Sequence, residues 1–174
     1  WHDKFNVANK PFSYDVRFTL ADYKSKIDKF NNTQKDLGSY NDARCNYYEG
    51  MTIGEIWGYE TEGFFTSKED VSSHASQKLY YASNSGTWLP GDIKFKDLNS
   101  DGVIDYGKNR VGDSGDRKVI GNSTPRYTFS FNLGADWNGI FASAFFQGVG
   151  KQDWWPGTDN ALFWGQYNRP YNNI

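Results

Sequence analysis

Residues 127–149 constrain the chain more than any other stretch. Tyr127, Phe129, Phe131, Leu133, Ala135 and Trp137 alternate with Thr128, Ser130, Asn132, Gly134 and Asp136. Such unbroken period two reads as a strand with one apolar and one polar face. Asn138-Gly139 follows at once, the preferred pair for a two-residue type I′ turn, whose central residues both need positive φ. That turn sets the register of the returning strand. Trp137 opposes Ile140, Ala135 opposes Ala142, Leu133 opposes Ala144 and Phe131 opposes Phe146. The hairpin therefore has one wholly apolar face. Its other face is polar on the first strand and mixed on the second, with Phe141, Ser143, Phe145 and Gln147.

Two architectures use such a hairpin. A soluble sandwich buries the apolar face against a second sheet, whereas a transmembrane barrel turns it to lipid. From Tyr127 to Trp137 the strand runs about 33 Å, or about 24 Å vertically at a 45° tilt, close to the roughly 25 Å apolar band of an outer-membrane barrel. On the barrel reading the membrane-facing residues are Tyr127, Phe129, Phe131, Leu133, Ala135, Trp137, Ile140, Ala142, Ala144 and Phe146.

Composition agrees with strands and turns. The 174 residues include 7 Trp, 12 Tyr, 13 Phe and 18 Gly, and too few aliphatic side chains for the Leu- and Ala-rich stripes of a helical bundle. A formal charge of −2 provides no basic footprint for nucleic acid. One cysteine, Cys45, excludes an intrachain disulfide framework and a multi-cysteine zinc site. His2 and His74 are too far apart in sequence for a local metal motif. The start, Trp1-His2-Asp3-Lys4-Phe5, has neither a signal-peptide pattern nor an initiator Met, and reads as an excised or processed piece. No window approaches a spanning helix, which leaves barrel strands open.

Elsewhere, Phe12, Tyr14, Val16, Phe18 and Leu20 alternate with Ser13, Asp15, Arg17 and Thr19, which predicts a half-buried strand over 12–20. Residues 22–44 are polar and read as an exposed connection. The Gly- and aromatic-rich 47–65 fits short, kinked strands. Ser67 with Asp70 predicts a short helix near 68–80, and the Ser/Asn-rich 72–88 reads as loop. No internal repeat or domain boundary is evident.

Residues 97–105, Asp-Leu-Asn-Ser-Asp-Gly-Val-Ile-Asp, match the front of a calcium loop. Asp97, Asn99 and Asp101 supply side-chain oxygens at positions 1, 3 and 5. Gly102 permits the sharp turn, the Val103 carbonyl falls at position 7 and Asp105 at position 9. Ile104 is the apolar anchor. Position 12 is Lys108, so a replacement acid has to come from Asp113 or Asp116, and Pro90–Phe95 alternates like a strand where a helix–loop–helix needs a helix. The other reading is an Asx-rich turn without metal.

Weaker signals have plain explanations. Glu55, Glu60 and Glu62 suit solvated acids better than a glycosidase pair. Cys45 has no nearby histidine to activate it. Trp154, Trp155 and Trp164 suit sugar stacking, an interfacial belt or ordinary packing alike. Gly112, Gly115 and Gly121 lack the Gly-Lys-Ser/Thr of a phosphate loop.

Taken in order, these segments resemble a known family. Gly91-Asp92-Ile93-Lys94-Phe95-Lys96-Asp97 through Asp105, Gly115-Asp116-Arg117-Lys118 through Ile120-Gly121-Asn122-Ser123-Thr124-Pro125-Arg126-Tyr127, and Phe145-Phe146-Gln147-Gly148-Val149-Gly150-Lys151 are similar to stretches of the SusC/RagA family. So is the upstream Tyr48-Glu49-Gly50-Met51-Thr52-Ile53-Gly54-Glu55-Ile56-Trp57-Gly58-Tyr59. Residues 66–88 match least. Members are TonB-linked outer-membrane transporters of Bacteroidetes-type bacteria.

The resemblance implies an all-β fold: antiparallel strands from the C-terminal half of a transmembrane barrel, with residues 1–174 lying within the barrel domain and the region 22–124 as extracellular loop. It implies import of a glycan or peptide substrate, a SusD-like surface lipoprotein as partner, TonB acting through an N-terminal part not included here, and no catalytic residues. Calcium on Asp97–Asp105 is an inference from ligand chemistry. The competing readings are a soluble, calcium-stabilised β module binding carbohydrate and, behind it, a glycosidase domain.

Overall fold

A computed structural model describes residues 1–38, 45–77 and 87–155, together with the backbone of 164–165 and 169–170. The strands are β1 (His2–Val7), β2 (Lys10–Ala21), β3 (Glu55–Tyr59), β4 (Thr61–Phe64), β5 (Ser76–Gln77), β6 (Ile93–Phe95), β7 (Val103–Ile104), β8 (Arg117–Asn122), β9 (Arg126–Trp137), β10 (Ile140–Lys151), β11 (Trp164–Gly165) and β12 (Arg169–Pro170). Among the described residues a single helix, α1 (Lys68–Ser73), falls between β4 and β5. The chain is all-β, and every strand pair is antiparallel except the short β5–β7 pair.

Two compact units divide it. One comprises Trp1–Lys24 and Thr124–Asp153; the other comprises Ser25–Ser123 and Trp154–Ile174. The first is a four-stranded sheet in the order β1-β2-β9-β10. Its β9–β10 register pairs Trp137 with Ile140, Ala135 with Ala142, Leu133 with Ala144 and Phe131 with Phe146, as the Asn-Gly turn requires. Asn138 and Gly139 have φ of 52° and 84°, the two positive values of a type I′ turn.

Strand β1 has no counterpart in the sequence reading. Ala8 and Asn9, with φ of 50° and 60°, make a second tight turn of the same hand, joining β1 to β2. Alanine is a rare choice for that position, since its Cβ crowds the backbone at positive φ. Strand β2 pairs with β9 over ten rungs, from Phe12↔Trp137 to Ala21↔Thr128. The two tight turns therefore share one end of the sheet, where the Trp137 indole donates to the Val7 carbonyl at 3.3 Å. At the other end the chain leaves β2 and returns to β9 after a long excursion.

Most of the excursion forms the second unit. Its core is Leu37, Tyr48, Met51 and Trp57, with Ile27, Cys45 and Val111 packed against it. Within the polar 22–44, the described residues 22–38 are thus more than an exposed connection: Leu37, at 0% exposure, belongs to this core and Ile27 packs against it. Helix α1 begins where the sequence places it. Ser67 caps it, accepting from the Asp70 N–H at 3.1 Å. It ends at Ser73, and Ser76–Gln77 is already strand; residues 78–80 of the expected helix lie outside the described residues. The Asp70 carboxylate pairs with Lys94 at 2.9 Å and accepts from Thr66 N–H, which holds its pKa down at about 2.

Candidate functional site

The sheet of the first unit has two unlike faces. Directly paired residues share a face, so the register assembles one apolar surface. Across β2 it holds Phe12, Tyr14, Val16, Phe18 and Leu20 beside Trp137, Ala135, Leu133, Phe131 and Phe129 of β9. Strand β1 adds Phe5, stacked 5.0 Å from Phe12. Nothing in this unit covers that surface: Phe18 is 61% exposed, Leu20 59%, Ile140 69% and Phe146 56%. Tyr127, Phe129, Leu133, Trp137, Ala142 and Ala144 are exposed as well, while Phe131 and Ala135 are intermediate. A small residue keeps the surface even, because the Phe129 ring lies over Gly148, where a Cβ would meet ring carbon Cζ at 2.6 Å.

The opposite face carries Ser13, Asp15, Arg17 and Thr19 from β2, and Thr128, Ser130, Asn132 and Asp136 from β9. At the excursion end, Asp22 and Arg126 close the gap between the two strands. The guanidinium Nη2 donates to Asp22 Oδ2 at 2.6 Å, and hydrogen bonding from Arg126 holds the Asp22 pKa down at about 2. Tyr127 beside it has φ 54°, a strained value for a bulky residue, and its N–H also points at Asp22.

In the second unit, residues 97–105 form a turn stitched by its own side chains. Asp97 accepts from the N–H groups of Ser100 (2.6 Å) and Gly102 (2.9 Å), Asn99 from Asp101 (3.0 Å), and Asp101 from Val103 (2.8 Å). Asp105 Oδ1 accepts from Gly107 N–H at 2.7 Å. Ile104 sits beneath at 0% exposure, the anchor its position requires. Of the two acids in reach of position 12, Asp113 pairs with Lys108 at 3.1 Å. Asp116 is fully buried and accepts from Leu98 N–H (2.6 Å) and Asp105 N–H (3.0 Å), clamping both ends of the turn. Among the described residues no group of three or more His, Cys, Asp or Glu converges on a metal position. Carboxylate oxygens have two lone pairs each, so the amide bonds leave acceptor capacity on Asp97 and Asp101.

Other side chains singled out in the sequence have structural work. Glu55 accepts from the Tyr48 hydroxyl and from Thr52 N–H, and Glu60 pairs with Lys118 and Lys96. Cys45 is half-buried against the core. The His74 ring nitrogen Nε2 meets the Phe95 carbonyl at 2.8 Å. Trp154 and Trp155, 68% and 45% exposed, follow β10, while the side chain of Trp164 lies outside the described residues.

Sequence reasoning missed the buried polar groups. Arg117 donates to Asn109 Oδ1 at 2.7 Å, and Asn109 donates onward to the Gly38 carbonyl; burial lowers the Arg117 pKa. Gln77 spans β6, donating to the Ile93 carbonyl and accepting from Phe95 N–H at 2.7 Å. No local pattern marks such residues, since their partners lie far along the chain.

Comparison with known proteins gives a direction. No family model matches the chain. It is 27% identical, over 151 residues, to "TonB-dependent receptor P3" of Formosa agariphila, an alignment covering 82% of this chain. The matched stretch is 13% of that protein's length, so the chain is similar to one stretch of a much longer TonB-dependent receptor.

Proposed function

We propose that residues 1–174 are part of the barrel wall and outer loops of a SusC/RagA-type TonB-linked outer-membrane transporter. One observation carries this reading: a continuous apolar face runs across β1, β2, β9 and β10 with its large side chains uncovered. A patch of that extent marks a membrane or partner surface. Three of its strands have 12 residues, about 40 Å long and about 28 Å tall at a 45° tilt, enough to span the apolar band. Neighbouring strands run up and down, with tight turns at one end and a long excursion at the other, the asymmetry of outer-membrane barrels. The likeness to a TonB-dependent receptor agrees with that geometry.

On this reading the protein imports a nutrient and performs no catalysis. The polar face borders the lumen, the excursion stands outside the membrane, a SusD-like lipoprotein closes the outer mouth, and TonB supplies the drive through another part of the protein. The cargo class is oligosaccharide or peptide. A weak calcium ion on Asp97, Asn99, Asp101, the Val103 carbonyl and Asp105 belongs to the same proposal; calorimetric titration of wild type and Asp101→Ala tests it, and no heat in wild type leaves a plain turn.

The experiment for the main reading uses the intact protein in outer-membrane lipid, with Cys45→Ser and single spin labels along β9. Labels at 131 and 133 should be relaxed by oxygen dissolved in lipid, and labels at 132 and 136 by a water-soluble nickel complex. If 131 and 133 answer to neither reagent, the apolar face is buried in protein and the transporter reading fails.

A further inference from the structure

The turn between β9 and β10 leaves Asn138 and Gly139 exposed at the end of the sheet. The ladder stops at Trp137↔Ile140, so both loop residues stand outside it. Nowhere else in the sequence does asparagine precede glycine. That order matters chemically. With no side chain on residue 139, its backbone nitrogen is open to the amide carbon of the residue before it. A Cβ on Gly139 would meet nothing within 4 Å, so water has access to the same place.

Ring closure between the two residues needs a particular backbone. Cγ, Cβ, Cα, the main-chain carbonyl carbon and the Gly139 nitrogen must lie nearly in one plane. For an L-residue this sets ψ of Asn138 at about −120°, the value of the first central residue in a type II′ turn. The type I′ turn already gives Asn138 a φ of 52°, the sign that type II′ shares. Only the peptide plane between the two residues has to rotate, carrying Gly139 from φ 84° to about −80°. Glycine populates both signs of φ with similar ease. Both turns are two-residue hairpin loops, so β9 and β10 stay paired through the flip.

The side chain is also free to move. Among the described residues the Asn138 amide has no hydrogen-bond partner. Two other described asparagines precede serine, and both are held. Asn99, before Ser100, donates to Asp101 Oδ2 and accepts from the Asp101 N–H, each at 3.0 Å. Asn122, before Ser123, donates to the Ile53 carbonyl at 3.0 Å. To reach its own backbone, either would first have to give up those bonds.

We infer that Asn138 is a site of self-modification, at which the side-chain amide is converted through a cyclic imide to aspartate and isoaspartate. The Gly139 nitrogen attacks Cγ, forming the N–Cγ bond. The Cγ–Nδ2 bond breaks, and Nδ2 leaves as ammonia with the proton that the Gly139 nitrogen gives up. Water then opens the imide at either carbonyl. Cleavage of N–Cγ leaves aspartate, and cleavage of the bond to the main-chain carbonyl carbon leaves isoaspartate. The net exchange is one water for one ammonia. Either product places a new carboxylate in the turn. Isoaspartate also lengthens the loop by one backbone atom, so the type I′ geometry is lost there. The inference concerns the turn and water alone and is independent of the transporter reading.

The test warms the intact protein in detergent at mildly alkaline pH and samples it over days. Peptides are read by mass spectrometry with electron-transfer fragmentation, which separates aspartate from isoaspartate. Residue 138 should gain the mass of an acid in place of an amide at least about tenfold faster than residues 99 and 122, the factor that breaking one hydrogen bond adds to a barrier. Isoaspartate should exceed aspartate there, because the main-chain carbonyl, next to the electron-withdrawing amide nitrogen, is the more electrophilic. Asn138→Gly, a pair equally suited to a type I′ turn, should yield no isoaspartate from this peptide. A rate at 138 no faster than at 99 and 122, aspartate formed without isoaspartate, or isoaspartate persisting in Asn138→Gly would each overturn the inference.

Discussion

Gly115 and Gly107 meet backbone to backbone: a Cβ on residue 115 would stand 2.6 Å from the Gly107 nitrogen and 2.4 Å from the Asp105 carbonyl oxygen. Gly115 also has φ 57°. These contacts seat Asp116, whose N–H donates to that same carbonyl at 3.0 Å. Gly112, with φ 95°, has open space where its Cβ would go.

The pair of substitutions separates the two costs. Gly112→Ala bears only the positive-φ penalty, about 1–2 kcal/mol, whereas Gly115→Ala adds a backbone clash of about 1–3 kcal/mol. Protease nicking within 97–116 should rise sharply in Gly115→Ala and modestly in Gly112→Ala. Equal nicking would mean the two backbones are not in contact.

Asp116→Asn replaces one acceptor oxygen with an amide, leaving Leu98 N–H or Asp105 N–H unpaired at a cost of about 1–3 kcal/mol. Amide exchange should speed up across 98–105 in EDTA and in calcium alike, because the clamp is built from hydrogen bonds. Asp97→Ala should free Ser100 and Gly102 selectively. Protection that appears only with calcium would show that a cation shapes the turn.

Asp22 titrates at about 2, against an ordinary 3.8, chiefly through its bond to Arg126. A carboxyl lowered in the folded state stabilises it above the unfolded value and loses that contribution as the pH falls through the folded one. The contact should therefore be intact above about pH 4 and weaken toward pH 2. Carbon-13 NMR of labelled aspartate in the intact protein follows it directly, and Arg126→Gln should return Asp22 to the ordinary range. An unmoved titration would remove Arg126 as the cause.

Ser143 and Ala144 are neighbours on opposite faces of β10, paired with Gly134 and Leu133. An arginine on the lipid side of a barrel costs about 2–4 kcal/mol near the midplane, while the lumen tolerates one. Ala144→Arg should lower the heat-modifiable folded fraction in the outer membrane, and Ser143→Arg, close to Asp15, should not. The reverse order would put lipid on the polar face.

Much of the first unit was legible in the chain. Period two in 12–20 and 127–137, with Asn138-Gly139, specifies strands, faces and register through interactions between residues close in sequence. The capped start of α1 and the Ile104 anchor are local in the same sense. Strand β1 escaped because its turn uses Ala8, outside the usual turn vocabulary, and because His2–Val7 has too few apolar residues to alternate.

Sequence alone determined the two-faced hairpin, since side-chain alternation and turn chemistry act within a few residues. Tertiary structure decided that β2 lies beside β9, that Leu37 seeds a core in a polar segment, and that Asp116 clamps the 97–105 turn. Those choices join residues far apart in the chain, 104 positions in the case of Asp22 and Arg126. Each depends on which distant partner offers the matching donor, charge or cavity, and no local period encodes that partner.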